Sequence, residues 1–294
     1  SRVATISAPR PSGFTATTNV NCAVGQDWAI RIMASYVSLD GVLSGGVSHW
    51  TIRASPTDVT RPGRTAVRID GSAGVTNVSV ASCYLEGVTS DGVAATVYVT
   101  GGAAAVSNIS LSGNWIRGSL RDVAVACEGV THPGSTGLNI SGNDITSFRR
   151  CGVRITGTFP DAVVKENTIY VTGSPPGVEG TTLNGIEIWS PAAGITLENN
   201  FIHDLTMDGP AAVSGIFVNT GSATGNPLRI RTNRISLYRG SASGQRFEGI
   251  RLGLGMPAGA PVEVDYNTVV LAGSHTSSTG TAAFRVENAI ALRL

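Results

Sequence analysis

Short strands of alternating apolar and polar residues recur along the chain at a regular interval. One motif is such a strand followed by Asn, any residue, and Ile or Val. Its copies, the first with Cys in place of Asn, are Cys83-Tyr84-Leu85, Asn114-Trp115-Ile116, Asn143-Asp144-Ile145, Asn167-Thr168-Ile169, Asn200-Phe201-Ile202, Asn233-Arg234-Ile235 and Asn267-Thr268-Val269. Successive copies lie 24 to 34 residues apart. A repeat of this length is typical of solenoid proteins.

A second motif, an apolar residue, a variable residue and another apolar residue, lies between the copies of the first. Its instances are Ile30/Ile32, Val67/Ile69, Val97/Val99, Val123/Val125, Val153/Ile155, Ile186/Ile188, Ile216/Val218, Ile250/Leu252 and Phe284/Val286. Glycine precedes four of them, at Gly152, Gly185, Gly215 and Gly249. Nine such strands predict about eight coils.

Each repeat has two or three strands that are too short to form a domain alone. Stacking places each strand beside its copy one coil away, at about 4.8 Å and in a parallel pair. We therefore predict an all-β fold, a right-handed parallel β-helix with an internal ladder of hydrogen-bonded asparagines. The predicted ladder members are Asn114, Asn143, Asn167, Asn200, Asn233 and Asn267. Cys83 is expected to end the ladder because a thiol tolerates burial.

The two ends of the chain differ from the repeat. Residues 1–27 are predicted to form an irregular lead-in or a cap, and residues 28–294 the β-helix. The sequence stops at Leu294, where another strand is starting. Because exposed strand edges invite pairing, we expect that the chain continues or that a partner or end-to-end self-association covers this end.

Loop lengths vary between repeats, and the cysteines show no metal-binding spacing. In solenoids, long inserts either form the working surface or are solvent-filled turns. The inserts here are Thr172–Thr182, Asp208–Ala212, Ser222–Pro227, Ser241–Gln245 and Gly273–Thr281. The four cysteines are Cys22, Cys83, Cys127 and Cys151. Their count allows two disulfides, but the offset of about five residues between Cys127 and Cys151 on adjacent coils favours buried thiols.

Composition excludes some classes of protein. The net charge of +1 and the absence of a basic cluster argue against a nucleic-acid partner. No run of 18 apolar residues is present, so no membrane span is predicted. The histidines His49, His132 and His275 fall far apart in the repeat, so we predict neither a metal site nor a cofactor.

The Asn-x-Ile ladder and the Gly-Ile-x-Ile strands resemble the pectin-lyase-like β-helix superfamily over nearly the whole chain. This resemblance implies the fold but not one function, since enzymes, phage tailspikes and adhesins share it. The paired aspartates and Gly-His-Gly of polygalacturonase-like enzymes are missing. The Arg-x-Pro-x-x-Arg of pectate-lyase-like enzymes and the Tyr-Gly-Phe-Asp-Pro-His-Asp of alginate epimerases are missing as well.

The residue between two inward apolar residues of a strand points outward. One predicted outward column is Arg31, Arg68, Tyr98, Ala124, Arg154, Glu187, Phe217, Arg251 and Arg285. A second column, two residues on, is Met33, Asp70, Thr100, Ala126, Thr156, Trp189, Asn219, Gly253 and Glu287. In the superfamily such a sheet often lines a polysaccharide groove. The predicted ligand-binding residues are Arg68, Tyr98, Trp189, Phe217 and Arg285. The alternative is a solvent-exposed strand surface that binds no ligand and whose charged residues form cross-strand ion pairs.

Catalysis has one candidate, Glu187 flanked by Arg154 and Arg251, with Trp189 as a stacking platform. No second acid lies in the same column, although glycoside hydrolysis usually needs two carboxylates. His203 and Asp204 could be a base and its orienter. As adjacent strand residues they are expected to point to opposite faces and not to meet, unless a turn at this position brings them together.

Two hypotheses follow. The first is a secreted or surface-displayed bacterial or phage β-helix with a structural, adhesive or carbohydrate-contacting role and no catalysis. The second is a polysaccharide lyase or glycoside hydrolase, for example a phage tailspike depolymerase, that acts on an acidic polysaccharide. They differ in whether two titratable groups converge in a cleft or lie singly along a flat sheet.

Overall fold

The chain is organised as short strands joined by turns. The computed structural model describes residues 4–6, 19–21, 28–41, 50–53, 65–87, 95–171, 182–190, 192–206, 212–219, 225–238, 246–273, 280–288 and 290–294. Within these ranges it has no helix, and its strands are β1 (Ala4–Ile6), β2 (Asn19–Asn21), β3 (Trp28–Ile32), β4 (Val37–Asp40), β5 (Trp50–Arg53), β6 (Thr65–Asp70), β7 (Val75–Ala81), β8 (Cys83–Glu86), β9 (Ala95–Thr100), β10 (Val106–Ser112), β11 (Trp115–Glu128), β12 (Leu138–Ser141), β13 (Asp144–Ile155), β14 (Val163–Lys165), β15 (Thr168–Tyr170), β16 (Leu183–Ile188), β17 (Thr196–Glu198), β18 (Phe201–His203), β19 (Ala212–Val218), β20 (Leu228–Arg231), β21 (Arg234–Tyr238), β22 (Arg246–Leu252), β23 (Pro261–Asp265), β24 (Thr268–Ala272), β25 (Ala282–Val286) and β26 (Ala291–Arg293).

The strands stack into two hydrogen-bonded sheets, of 10 and 16 strands, which form three faces. Face 1 has the order β1-β4-β7-β10-β12-β14-β17-β20-β23-β26, and face 2 has the order β2-β5-β8-β11-β13-β15-β18-β21-β24. Face 3 has the order β3-β6-β9-β11-β13-β16-β19-β22-β25, since the long strands β11 and β13 belong to both of the last two faces. The chain visits faces 1, 2 and 3 in turn, and neighbouring strands are parallel. The predicted parallel β-helix is confirmed, although the number of coils differs slightly from eight.

The turn from face 1 to face 2 is built from one left-handed residue and one ladder asparagine. Glu166 and Thr232, with φ of 58° and 54°, directly precede Asn167 and Asn233. Each ladder side chain bonds both the backbone and its neighbour. Asn167 Nδ2 donates to Ile140 O at 2.9 Å and to Asn200 Oδ1 at 3.0 Å.

The asparagine ladder runs without interruption from Asn114 to Asn267. The distances between Nδ2 and the next Oδ1 along this row are 2.9 or 3.0 Å. At its first end the backbone N–H of Cys83 donates to Asn114 Oδ1 at 3.0 Å. The predicted ladder is therefore confirmed, including the place of Cys83.

The bend from face 2 to face 3 requires a residue without a side chain. A Cβ atom on Gly215 would lie 2.7 Å from the carbonyl oxygen of Gly249 and 2.5 Å from Ile235 Cγ2. Gly152 and Gly185 have the same close approach to the next coil. The glycine before the second motif therefore marks a bend in which the backbones of successive coils almost touch.

The core consists of the inward columns of Ile, Val and Leu from all three faces. One register prediction was wrong. In β11 the inward pair on face 3 is Val125 and Cys127, which pair with Val153 and Ile155, whereas Val123 faces outward in a small separate cluster. The register of β11 shifts before Val123, where the strand passes from face 2 to face 3. The predicted inward pair was therefore two residues too early in the chain.

Three cysteines are buried free thiols, as favoured from the sequence: Cys83, Cys127 and Cys151. Cys127 pairs with Ile155 while Cys151 pairs with Val123, so the two thiols are four residues out of register. Burial, with a smaller effect of Asp40, raises the pKa of Cys83 to about 12. Cys22 lies outside the described residues.

The chain ends and inserts are described only in part. Within residues 1–27, strands β1 and β2 pair in register with β4 and β5, and the proposed cap stays a prediction. Most of the five inserts lie outside the described residues. Strands β24 and β25 are more exposed than their equivalents in earlier coils, and self-association at this end stays a prediction.

Candidate functional site

The outward side of face 3 carries the predicted first column. The cross-strand partners run Arg31, Arg68, Tyr98, Ala126, Arg154, Glu187, Phe217, Arg251 and Arg285. The prediction was wrong at one coil, where Ala126 takes the place assigned to Ala124. Ala124 lies in the core, and Glu128 takes the predicted place of Ala126 beside Thr100. The register shift in β11 explains both corrections.

At the first coils of this column, arginines lie between aromatic rings and one carboxylate. Arg68 lies 5.7 Å from the ring centroids of Trp28 and Tyr98, and Arg31 lies 4.8 Å from that of Trp28. Arg31 Nε donates to Asp70 Oδ2 at 3.0 Å. Burial alone would raise the pKa of Asp70, but the hydrogen bonds from Arg31 and Ser72 outweigh it and hold the pKa below its ordinary value.

The middle of the column holds Glu187, the predicted catalytic residue. Its side chain is 2% exposed. Asn184 Nδ2 donates to its Oε2 at 3.0 Å, and Arg154 Nε lies 3.7 Å from its Oε1. Arg154 also lies 3.4 Å from Glu128. Glu187 is therefore enclosed by its own coil and the preceding one.

A second buried carboxylate, Glu248, was not singled out from the sequence. It is fully buried and lies within 3.6 Å of three guanidinium groups, those of Arg246, Arg251 and Arg285. The hydroxyl of Ser214 donates to its Oε2 at 3.4 Å. Phe247 and Ile250 both belong to the core, so the inward–outward alternation is interrupted at the bend of Gly249 and Glu248 lies on the outward side, where strict alternation does not predict it.

An aromatic pair connects these two carboxylate centres. The rings of Trp189 and Phe217 meet edge to face at 6.0 Å, and Arg251 lies 4.7 Å over Phe217. Phe217 is 7% exposed, whereas Trp189 is 40% exposed. Trp189 therefore presents its ring to solvent, and Phe217 supports it and Arg251 from below.

The three predicted catalytic residues are brought together only in part. Arg154 and Glu187 are cross-strand neighbours, but Arg251 is two coils from Glu187, about 10 Å along the stack, with Phe217 between them. Arg251 instead pairs with Glu287 at 3.0 Å. Glu187 and Glu248 are themselves two coils apart and lie in different columns.

Face 2 carries a row of aromatic side chains that was not predicted from the sequence. They occupy the variable position of the Asn-x-Ile motif and the position two residues later, both of which point outward. Tyr84 and Trp115 meet edge to face at 5.0 Å. His203 stacks on Tyr170 at 5.0 Å and on Phe201 at 4.3 Å. The variable residues of the motif give Tyr84, Trp115 and Phe201, and the position two residues later adds Tyr170 and His203.

The prediction that His203 and Asp204 do not meet was wrong. His203 Nδ1 lies 2.7 Å from Asp204 Oδ2. Asp204 follows the end of β18 and has a φ of 49°, so the chain leaves the strand and the carboxylate folds back onto the ring. The contact fixes the imidazole orientation within the aromatic row.

No group of three or more His, Cys, Asp or Glu side chains suited to a metal ion occurs among the described residues. The same ranges contain no helix long and apolar enough to cross a membrane.

Comparison with known proteins gives similarity to solved structures alone, since no protein-family model and no curated protein matches the sequence. The chain is similar to DFA-IIIase from Arthrobacter chlorophenolicus A6 without its lid, at 13% identity over 89% of this chain and 79% of that chain, with a TM-score of 0.38. It is similar to the Streptococcus pneumoniae surface protein and adhesin PfbA at 10% identity over 88% and 85%, with a TM-score of 0.35. It is also similar to alginate lyase from Paenibacillus sp. str. FPU-7 at 16% identity over 94% and 98%, with a TM-score of 0.24. The fold that the predicted resemblance implied, a parallel β-helix, is established by the strand pairing of this chain itself.

Proposed function

We propose that this protein is a secreted or surface-displayed β-helix that binds an acidic polysaccharide along the outward side of face 3 without cleaving it. The observation that carries the proposal is a layering of charge on this face. The carboxylates of Glu187 and Glu248 are buried, while the side chain of Arg285 above Glu248 is 37% exposed. At this end of the face, guanidinium donors therefore lie outside the carboxylates that hold them.

Arginine suits this role because its planar fork of donors matches carboxylate and sulfate groups. The carboxylates beneath hold each guanidinium in place, so little side-chain entropy is lost when a ligand binds. Arg285 is held from two sides, at 3.2 Å from Glu248 and 3.0 Å from Glu287. The exposed ring of Trp189 adds an apolar platform for the face of a sugar.

The long dimension of the face fits a polymer better than a small molecule. The column from Arg31 to Arg285 crosses eight coil steps, about 38 Å along the stack. A linear polysaccharide that lies along the axis would meet arginines at both ends of this column and Trp189 near its middle.

The state of the carboxylates argues against catalysis at this face. A general base or nucleophile must approach the reacting atom within about 3 Å. Both oxygens of Glu187 and both of Glu248 already face arginine, asparagine or serine groups. The enzyme hypothesis would need one of these buried carboxylates to become accessible.

The experiment is native affinity electrophoresis in gels that contain polygalacturonate, alginate or chondroitin sulfate, with dextran as the neutral control. We expect an acidic gel to retard the wild type and Trp189→Ala to weaken the binding at least tenfold. Tyr266→Ala, which removes an exposed ring on the turn between faces 1 and 2, is the matched control and should bind as the wild type does. Arg285→Ala should weaken binding and reduce its dependence on salt.

Equal retardation of all variants would place the binding site elsewhere and contradict the proposal. New reducing ends or unsaturated products in any acidic polysaccharide would favour the lyase or hydrolase hypothesis instead.

A further inference from the structure

We infer that the outward side of face 2 is a second carbohydrate-binding surface, which takes a neutral sugar chain by stacking on its aromatic rings. This surface is built from Tyr84, Trp115, Tyr170, Phe201 and His203. It lies on a different sheet from the arginine column of face 3. The inference therefore goes beyond the proposed function and does not depend on it.

The first aromatic cluster presents a ring held in a fixed orientation. Trp115 is 46% exposed and packs edge to face against Tyr84 on the preceding coil. A hydrogen bond to the hydroxyl of Tyr84 raises the pKa of Arg117, the next outward residue of the same strand. A tryptophan that is half-exposed and braced in this way suits the apolar face of a pyranose ring.

The second cluster is a stack of three rings with a cation at its edge. His203 lies nearly parallel to Tyr170, at 9°, and is tilted by 26° from Phe201. Arg234, on the following coil, lies 5.0 Å over Phe201. Because Asp204 contacts His203 Nδ1, the other ring nitrogen is the one that remains for a polar contact with a ligand hydroxyl group.

The charged side chains of this surface are few and balanced in sign. The basic residues of the row are Arg53, Arg117 and Arg234, and the acidic ones are Glu86, Asp144 and Asp204. Arg53 pairs with Glu86 across the coils, and Tyr170 is hydrogen-bonded to Asp144. Donors and acceptors therefore alternate along the row. Such a surface suits a ligand rich in hydroxyl groups and without net charge.

The two clusters are spaced for a chain that lies along the helix axis. Trp115 and Phe201 are three coil steps apart, about 14 Å along the stack. Asp144 and Thr168 lie between them in the same column and offer polar side chains. One extended oligosaccharide could therefore stack on Trp115 and form polar contacts at the second cluster, where Phe201 supports His203 from one side.

If both faces bind, one molecule holds two polysaccharide chains at once. A neutral chain would lie on face 2 and an acidic chain on face 3, around the corner of the same coils. The expected role is then to link two kinds of glycan.

The test uses the full chain labelled with 5-fluorotryptophan and followed by fluorine NMR. The four tryptophans are Trp28, Trp50, Trp115 and Trp189, and each signal is assigned with a Trp→Phe variant. Neutral probes are cellohexaose, xylohexaose, laminarihexaose and maltohexaose at millimolar concentration, and the acidic probe is a galacturonate oligosaccharide. Trp50, which is buried, is the internal control.

We expect at least one neutral hexaose to shift the Trp115 signal while Trp50 and Trp189 stay unchanged. Phe201→Ala should then weaken that binding at least fivefold by calorimetry, and Tyr266→Ala should leave it unchanged. A Trp115 signal that no neutral probe moves, or that responds to the acidic probe alone, would overturn the inference. A Trp189 signal that fails to respond to the acidic probe would count against the face 3 proposal only.

Discussion

Arg251 and Glu287 form an ion pair on face 3, with 3.0 Å between Arg251 Nη2 and Glu287 Oε2. Glu287 is also 3.0 Å from Arg285, so one carboxylate braces two of the arginines of the proposed binding face. Arg251 is meanwhile stacked on Phe217. The arginines of this face are therefore positioned before any ligand arrives.

This pairing predicts an acid-sensitive contribution to stability. Burial tends to raise the pKa of Glu287, but Arg251 and Arg285 outweigh it and hold the pKa below the ordinary value of 4.5. The resulting stability is fully present above about pH 4.5 and is lost as the pH falls through the lower folded-state value. Glu287→Gln should be less stable at pH 7 and should show a flatter pH dependence in urea titrations. The control is Glu166→Gln, at an exposed turn. Parallel pH curves for wild type and Glu287→Gln would refute this prediction.

The ladder should contribute far more than a surface hydrogen bond. Asn167→Ala leaves Ile140 O and the N–H of Asn143 buried without their partners. At about 1–3 kcal/mol for each orphaned group, the unfolding free energy should fall by roughly 3 kcal/mol or more. Asn267→Ala, at the more exposed end of the ladder, should cost clearly less. Equal losses for the two variants in chemical denaturation would show that ladder burial is not the cause.

The bend between faces 2 and 3 should not accept a methyl group. Gly215→Ala places a Cβ against backbone of the next coil, which is packed and cannot move aside. We expect a loss of about 1–3 kcal/mol, the usual range for overpacking. Gly102→Ala, where a Cβ meets nothing within 4 Å, is the matched control and should change the melting temperature little. A Gly215→Ala protein as stable as the control would mean that the coils can separate at this bend.

The turn at Thr232 should be improved by glycine. Thr232 is β-branched and has a φ of 54°, a conformation that costs a β-branched residue on the order of 1 kcal/mol. Thr232→Gly should therefore raise the unfolding free energy by up to about 1 kcal/mol. The same change at Thr268, within β24, should lower it, because glycine weakens a strand. Destabilisation by Thr232→Gly would indicate that the threonine side chain makes a contact worth more than the strain.

Much of the fold could be predicted because the same strand pattern recurs in successive coils. The Asn-x-Ile motif fixed the ladder and face 2, and the apolar pairs fixed the register of face 3 at every coil except that of β11. The error there arose because β11 turns the corner as one strand with shifted register, which strict alternation cannot show.

The site could be predicted less well, because it depends on local departures from alternation. Glu248 lies on the outward side because the alternation is interrupted at the bend of Gly249, and His203 meets Asp204 because Asp204 has a left-handed backbone. Phe217 was predicted to contact a ligand, yet Arg251 covers its ring. Burial and side-chain stacking of this kind follow from packing between coils and not from the order of residues along one strand.

The most direct test of the central claim is a combined glycan-array and depolymerisation screen of the wild type and Glu187→Gln. We predict that the wild type binds acidic polysaccharides and releases no new reducing ends or unsaturated products. Glu187→Gln should be less stable but should still fold and bind, since Glu128 remains beside Arg154 and the substituted side chain is buried beneath the surface that meets the ligand. Depolymerisation by the wild type that is lost in Glu187→Gln would contradict the account and make this protein an enzyme with its site on face 3.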